Sequence, residues 1–273
     1  MNTITLLTDH PAWTEQPDGT PARLVTTDTG AWHVAWTGGS LTATALEGTL
    51  TPAPIPVETQ TTDLPPSAPG ELTEALTGLG TVCRVSSPTL WEAITSGLLR
   101  RIIRAPQARA LYQRWATTYG PVYATPTGPM HTVPSPRAVL DLTDAQFTAI
   151  GAALHRRALP AAATTYLDNA DTWAQLPADD LVKALQEVPG VGPWTAACAA
   201  ADFTGDYSVY PHDDLAVRTW ARKAAPQLAF PKEPREFEAL WCRWAPDRHQ
   251  IHALTTYTLA WGIHAQPPLT DRP

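Results

Sequence analysis

Two different periods run along this chain. Between residues 31 and 48 the apolar positions alternate: Trp32, Val34 and Trp36, then Leu41, Ala43 and Ala45, on either side of Thr37-Gly38-Gly39-Ser40. A period of two about such a turn predicts a β-hairpin. Pro-rich stretches follow, TPAPIPVET from residue 51 and LPPSAPG at 64–70, and they predict a boundary at 64–70. Beyond it the apolar period lengthens. Leu90, Trp91, Ile94, Leu98 and Ile102 fall at helical spacing after a Ser-Pro start, and Pro106 predicts a break into a second helix carrying Leu111 and Trp115. PSPRAVLDLTDAQFTAIG predicts two short helices, with Thr143 or Asp144 as a cap. Further helices are predicted over ALPAAATTYLDNADTW, PADDLVKALQEV, DDLAVRTWARKA, PREFEALWCRWA and DRHQIHALTTYTLAWGI. The pattern predicts an acidic β-rich domain over 1–70 and a helical domain over 71–273, with no internal repeat.

Composition adds little to this picture, and charge adds more. The 273 residues are enough for a well-buried core. No basic n-region opens the chain and no run approaches a membrane span, so a protein of the cytoplasm, with no membrane partner and expected as a monomer, is the plain expectation. Cys83, Cys198 and Cys242 are too scattered for a disulfide framework or a metal cluster. The net charge is −7, which argues at first against a nucleic-acid partner. Its distribution is uneven, however. Before residue 81 Arg23 alone faces nine carboxylates, whereas 84–114 holds Arg84, Arg100, Arg101, Arg104, Arg109 and Arg114 against Glu92. As a cluster these arginines suit phosphate contact; each singly suits a solvated face as well.

The segment EVPGVGPWTAACAAA, residues 187–201, carries the most specific local signal. Gly190 and Gly192 can take positive φ, and Pro193 suits a first helical position. The expected product is helix, hairpin, helix, with unpaired N–H groups at a positive helix end that can receive a phosphate. An ordinary tight corner between helices reads equally well from these residues alone. Downstream, VYPHDDLAVRTWA places Asp214 before a helix, where a capping role is the ordinary reading.

The two motifs in this order resemble the helix-hairpin-helix DNA glycosylase superfamily. The resemblance runs from about Leu72 to Gly262. It takes in the Pro-Gly-Val-Gly hairpin, Asp214-Leu-Ala-Val217-Arg218 and the terminal ALTTYTLAWG. It implies a mainly α, helix-hairpin-helix glycosylase fold with an N-terminal antiparallel β-rich domain, the hairpin lying at 188–193. Asp214 is implied as the catalytic carboxylate, with Asp213 a supporting neighbour and His212 incidental. Gly190, Val191, Gly192, Arg101, Arg104 and Arg218 are implied as DNA contacts. Ile102, or Arg101, would fill the gap that a flipped base leaves.

Members that also cut the strand carry a lysine where Trp194 stands here, so a monofunctional enzyme is implied, similar to the branch that removes 3-methyladenine. Trp194, Tyr257, Trp261 and Cys198 are the implied base pocket, with stacking on electron-poor alkylated purines as the physical basis. No redox cofactor is implied, and the iron–sulfur cysteines of one branch are absent. A Na⁺ or K⁺ on backbone carbonyls near Val188 and Val191 is implied by the resemblance alone. The expected partner is double-stranded DNA with damaged bases. Rival readings are another lesion on the same fold (uracil, an oxidised base or a bulky adduct) and a non-catalytic DNA-binding protein. A metal-dependent nuclease fits poorly, because the eight histidines are dispersed.

Overall fold

The structure is a computed structural model that describes residues 3–27, 29–46, 48–50 and 52–265. Along the chain come β1 (Ile4–Leu6), β2 (Thr14–Glu15), β3 (Pro21–Thr27), β4 (Gly30–Thr37), β5 (Ser40–Ala45) and β6 (Val57–Thr59). Next are α1 (Gly70–Thr77), β7 (Thr81–Arg84), α2 (Leu90–Arg100), α3 (Ala105–Tyr119), β8 (Val122–Thr125), β9 (Gly128–His131), α4 (Pro136–Leu140) and α5 (Asp144–Ala149). Then follow α6 (Ala158–Trp173), α7 (Ala178–Gln186), α8 (Pro193–Thr204), α9 (Leu215–Ala224), α10 (Pro234–Trp244) and α11 (Arg248–His264). The predicted helices are all present. Pro106 sits in the first turn of α3, and Thr143 caps α5 by accepting the Gln146 N–H. Among the described residues no helix is long and apolar enough to cross a membrane.

The chain forms two compact units that interleave in sequence: Met1–Asp9 with Pro56–Val85 and Asp206–Pro273, and His10–Ile55 with Ser86–Gly205. The expected division at residue 70 does not coincide with either. It falls inside the first unit, because β6 and β7, on opposite sides of that position, pair antiparallel in one sheet whose other strand is β1. β1 runs parallel to β7, so this sheet is mixed rather than antiparallel. The Pro-rich composition near residue 70 marks a turn into α1, not the edge of a domain.

In the second unit β2, β3, β4 and β5 form an antiparallel sheet in that order. The hairpin is the one the alternation predicts: Gly38 and Gly39 both take positive φ, and Trp36, Val34 and Trp32 pair with Leu41, Ala43 and Ala45. The lone arginine of the acidic segment, Arg23 on β3, is fully buried. It donates to Glu92 on α2 at 3.0 Å, and the Tyr112 hydroxyl donates to the same oxygen at 3.1 Å. A buried pair of this kind costs several kcal/mol to break by removing one partner. α2 is buried on nearly every face and packs along α8. Gly97 makes their close approach possible: a Cβ there would lie 3.2 Å from the Thr195 carbonyl oxygen and 3.8 Å from Ala199 Cβ. Across the same two helices Arg100 pairs with fully buried Asp202 at 2.9 Å.

The first unit is built on α11, whose inner face is buried against α9, the 3₁₀ turn at Tyr207–Val209 and β7. At Gly262 a Cβ would lie 2.3 Å from the Trp220 ring, so glycine lets that indole rest on the α11 backbone. The Tyr257 hydroxyl donates to the Gly80 carbonyl at 2.6 Å, with the Thr59 carbonyl at 3.1 Å, tying α11 to the sheet. His252 accepts the Tyr207 N–H on Nδ1, so its Nε2 carries the proton and donates to Thr59 Oγ1 at 3.1 Å.

Burial holds several histidines in the neutral form. It pushes His212 down to about 4, against the opposing Asp213 charge. It also pushes His155 down to about 4, with the Arg101 charge adding to it. His252 is lowered chiefly by burial as well. A histidine whose folded value is depressed contributes stability that is complete above the unfolded value and lost as pH falls through the folded one. For His155 and His212, between about pH 6.5 and 4, each costs about 1.4 kcal/mol per pH unit. Thermal unfolding followed by circular dichroism should therefore show a falling midpoint below about pH 6.5, and His155→Gln should flatten the fall. A midpoint independent of pH across that window would contradict the buried neutral histidines.

Candidate active site

The hairpin of the second unit forms as its residues require. α7 ends at Gln186, and the buried Val188 and Val191 turn inward and fasten the loop, while Pro189, Gly190 and Gly192 stay exposed. The Val191 N–H closes the turn on the Val188 carbonyl at 3.0 Å. Gly190 has φ +86, and a Cβ there would lie 2.9 Å from Ala158 Cβ, so both its conformation and its surroundings call for glycine. Gly192 differs from expectation: it is extended, at φ −88, and no atom lies within 4 Å of its missing Cβ. It serves as N-cap of α8, ahead of Pro193 at the first helical position. The result is an exposed loop of backbone feeding a twelve-residue helix, whose N–H groups and dipole suit a phosphate. The carbonyl oxygens at Val188 and Val191 are hard, neutral donors of the kind a monovalent cation takes. One lone pair at Val188 is already engaged. No cluster of histidine, cysteine or carboxylate side chains suited to a metal is present among the described residues.

The turn after α2 abuts this hairpin. Arg101 sends its guanidinium to the Gly190 carbonyl through Nη1 and to the Leu154 carbonyl through Nη2, at 3.3 Å. It is a brace inside the protein rather than a side chain free to enter a base stack. The next residue, Ile102, is 85 % exposed and has φ +72, the one non-glycine residue with positive φ among those described. A β-branched residue in that region is strained by about 1–3 kcal/mol. An apolar side chain is thus held out in solvent on a strained turn, where only one of the two candidates for the gap-filling wedge remains available. Leu154, a residue the sequence pattern did not single out, is 67 % exposed beside the same brace.

Most of the basic block is engaged within the fold, although Arg104 and Arg114 stay exposed. Arg100 pairs with Asp202, Arg109 donates to the Trp13 carbonyl, and Arg114 donates to the Ile150 carbonyl at 3.2 Å. Arg84 belongs to the first unit, 3.6 Å from Asp9 and over the Tyr207 ring. Arg104, the N-cap of α3, is exposed. The cluster reading therefore rests on the exposed Arg104 and Arg114 and on backbone donors.

Of the aromatic candidates, Trp194 is half-buried in the first turn of α8. Cys198, one turn on, is fully buried. Trp261 is half-buried on α11. Tyr257 is fully buried with its hydroxyl committed to backbone carbonyls, and burial raises its pKa. It is a core residue of the first unit and presents no free stacking face.

Asp214 stands at the N-cap of α9, yet its side chain makes no hydrogen bond to that helix. The carboxylate instead accepts the Tyr210 hydroxyl on Oδ2 at 2.8 Å. The backbone around it is held from both sides: the Asp214 N–H donates to the Pro211 carbonyl at 3.1 Å, and Arg218 Nε donates to the Asp213 carbonyl at 2.8 Å. Arg218 also reaches the Lys232 carbonyl at 3.3 Å. Its spacing of four from the aspartate places it one turn on, where it secures the turn rather than extending into solvent. A half-exposed carboxylate on a fixed turn, not spent on capping, can face a developing positive charge.

Solved structures place this architecture. The chain superposes over 97 % of its length on a protein named MBOgg1, solved with a low-affinity DNA ligand, at a TM-score of 0.72 and 15 % identity, covering 94 % of that chain. A Clostridium acetobutylicum 8-oxoguanine glycosylase/lyase, bound to double-stranded DNA, matches at 0.71 and 13 % identity over 95 % of this chain and 90 % of its own. The 3-methyladenine DNA-glycosylase of Archaeoglobus fulgidus matches at 0.67 and 15 % identity, over 93 % and 90 %.

The chain has the fold of the helix-hairpin-helix DNA glycosylases.

In sequence, 84 residues are 34 % identical to a Mycobacterium tuberculosis protein described as a probable bifunctional transcriptional activator/DNA repair enzyme AlkA; the stretch covers 31 % of this chain and 16 % of that protein. No family model matches the chain.

Two substitutions test the local geometry through denaturant midpoints. Gly190→Ala should destabilise by at least about 1 kcal/mol, since the new methyl meets Ala158 in a conformation alanine avoids. Ile102→Asn should stabilise by about 1 kcal/mol, because asparagine tolerates positive φ and the isoleucine buries little. A loss of stability at Ile102 would mean its side chain makes contacts that its exposure hides.

Proposed function

We propose that this protein is a monofunctional DNA N-glycosylase that hydrolyses the glycosidic bond of alkylated purines and leaves an abasic site. The observation that carries the reading is the Asp214 carboxylate, which stands at a helix start without capping it and is held by Tyr210 and by the turn that Arg218 secures. Cleavage of the glycosidic bond builds positive charge on the deoxyribose. A carboxylate beside that ring stabilises the charge and orients or deprotonates the attacking water. The damaged base must first leave the stack. Ile102, exposed on its strained turn, supplies the apolar wedge for the vacated space. The exposed hairpin N–H groups and Arg104 supply phosphate contacts that carry no sequence preference. A monovalent cation held by the carbonyls near Val188 and Val191 would add positive charge at that grip.

Two features favour hydrolysis without strand cleavage. Cleavage through a Schiff base needs an amine at the reacting sugar. The position that would carry it holds Trp194, and the lysines of the chain stand at 183, 223 and 232, none in the hairpin. The indole instead offers a face for an electron-poor or cationic alkylated base. The likeness to the Mycobacterium tuberculosis protein and to the Archaeoglobus fulgidus enzyme supports the alkylated-purine reading. A second reading, an oxidised purine, is favoured by the high TM-scores against MBOgg1 and the Clostridium acetobutylicum 8-oxoguanine enzyme. Action on double-stranded DNA, as a monomer in the cytoplasm, is part of the proposal.

Base release decides between them. Incubation with methylated duplex DNA should liberate 3-methyladenine or 7-methylguanine, identified chromatographically. Asp214→Asn should lower release by at least about a hundredfold while DNA affinity stays within a few fold. Borohydride should trap no covalent protein–DNA adduct. Release of 8-oxoguanine with silence on methylated DNA would move the assignment to the second reading, and full activity in Asp214→Asn would remove the aspartate from catalysis. Arg104→Glu should weaken binding and lower the salt slope by about 1; an unchanged slope would make Arg104 a bystander.

A further inference from the structure

The reading of Asp214 as the catalytic carboxylate explains what the residue does but not what aims it. We propose that Tyr210 is the positioning residue that fixes the Asp214 carboxylate, acting as a buried hydrogen-bond donor at the end of an aromatic and cationic stack. The inference rests on the proposed function and assigns a role the function itself does not require.

Tyr210 is 3 % exposed, and its hydroxyl donates to Asp214 Oδ2 at 2.8 Å. Pro211 and the two residues after it turn the chain so that a tyrosine four positions before the aspartate comes back onto it outside any helix. The ring is fixed in its turn. It stacks on fully buried Tyr207 at a centroid distance of 5.3 Å and an interplanar angle of 10°. The Arg84 guanidinium lies 4.5 Å from the Tyr207 centroid, and the Tyr207 hydroxyl donates to Asp9 Oδ2 at 3.4 Å. His252 holds the Tyr207 backbone N–H at 3.0 Å. The phenol is therefore immobile before any substrate arrives.

A carboxylate on a half-exposed turn would otherwise rotate about its terminal bond and exchange its oxygens. The phenol commits Oδ2, and no hydrogen bond to the other oxygen is formed among the described residues, which leaves Oδ1 for the sugar. Donation to one oxygen withdraws some charge from the carboxylate, but it removes the reorganisation that an unheld group would need as the sugar becomes cationic. Preorganisation of this kind acts on the transition state more than on the bound substrate. A residue that only packs would affect both alike.

The test compares duplexes carrying two abasic analogues: a pyrrolidine, whose ring nitrogen is cationic near neutral pH, and a tetrahydrofuran, which is neutral. Wild-type protein should prefer the pyrrolidine, and Asp214→Asn should abolish the preference. Tyr210→Phe keeps the ring in the stack and removes only the donor. It should reduce the preference about tenfold with tetrahydrofuran affinity unchanged, and should lower kcat by about the same factor with KM unchanged. An undiminished preference in Tyr210→Phe, with Asp214→Asn still defective, would overturn the positioning role and leave the catalytic assignment standing. Equal weakening toward both analogues would make Tyr210 a packing residue and likewise overturn the proposal. Absence of a pyrrolidine preference in the wild type would instead sink the catalytic assignment of Asp214, and the role of Tyr210 with it.

Discussion

The close approach of α2 and α8 is the constraint on which the hairpin region depends. It requires Gly97 on one helix and an alanine-rich face on the other, since a Cβ at Gly97 would press on the Thr195 carbonyl. Van der Waals contact at such short range is available only to small side chains, and it fixes the relative height of the two helices. The C-terminal end of α2 is then beside the hairpin that leads into α8, where Arg101 reaches the Gly190 carbonyl and Ile102 takes positive φ. The strained turn at Ile102 directly follows this packed helix. That is the circumstance in which strained backbone persists and accompanies function.

The first unit solves a related problem by different means. On the proposed function, a carboxylate that faces a developing cation must be held without being neutralised. A basic partner would cancel its charge, whereas a phenol donor fixes it and leaves it anionic. Arg84 and Arg218 both lie nearby in sequence or structure. Arg84 is spent on the Tyr207 ring and Asp9, and Arg218 on backbone carbonyls. Positive charge is used to hold the supports of Asp214 and not Asp214 itself.

The same economy limits how much of an arginine-rich stretch becomes basic surface. Arginine has five donors in a rigid fork, suited to carbonyls exposed where helices end. Arg101, Arg109 and Arg114 each donate to backbone carbonyls, and Arg100 pairs with a buried aspartate. With most of these arginines engaged internally, a chain of net charge −7 exposes at the hairpin the neutral, dipolar surface of backbone N–H groups and a helix start.

Local sequence by itself determined the local structures. The Gly38-Gly39 hairpin and its register, the break before α3, the Thr143 cap and the helix-hairpin-helix were all legible, because each depends on the conformational limits of glycine and proline or on apolar period. From the residues alone Asp214 read as a helix cap, and it became a candidate only through the resemblance that the two motifs carry. Tertiary structure alone decided the rest. It paired β1 with β7 across most of the first eighty-odd residues and so interleaved the two units. It buried Tyr257 among carbonyls, committed most of the clustered arginines to carbonyls and carboxylates, held Ile102 out on a strained turn and brought Tyr210 onto Asp214. Sequence periodicity records which face of an element avoids water; which donor meets which acceptor is settled only when distant segments pack and every buried polar group must find a partner.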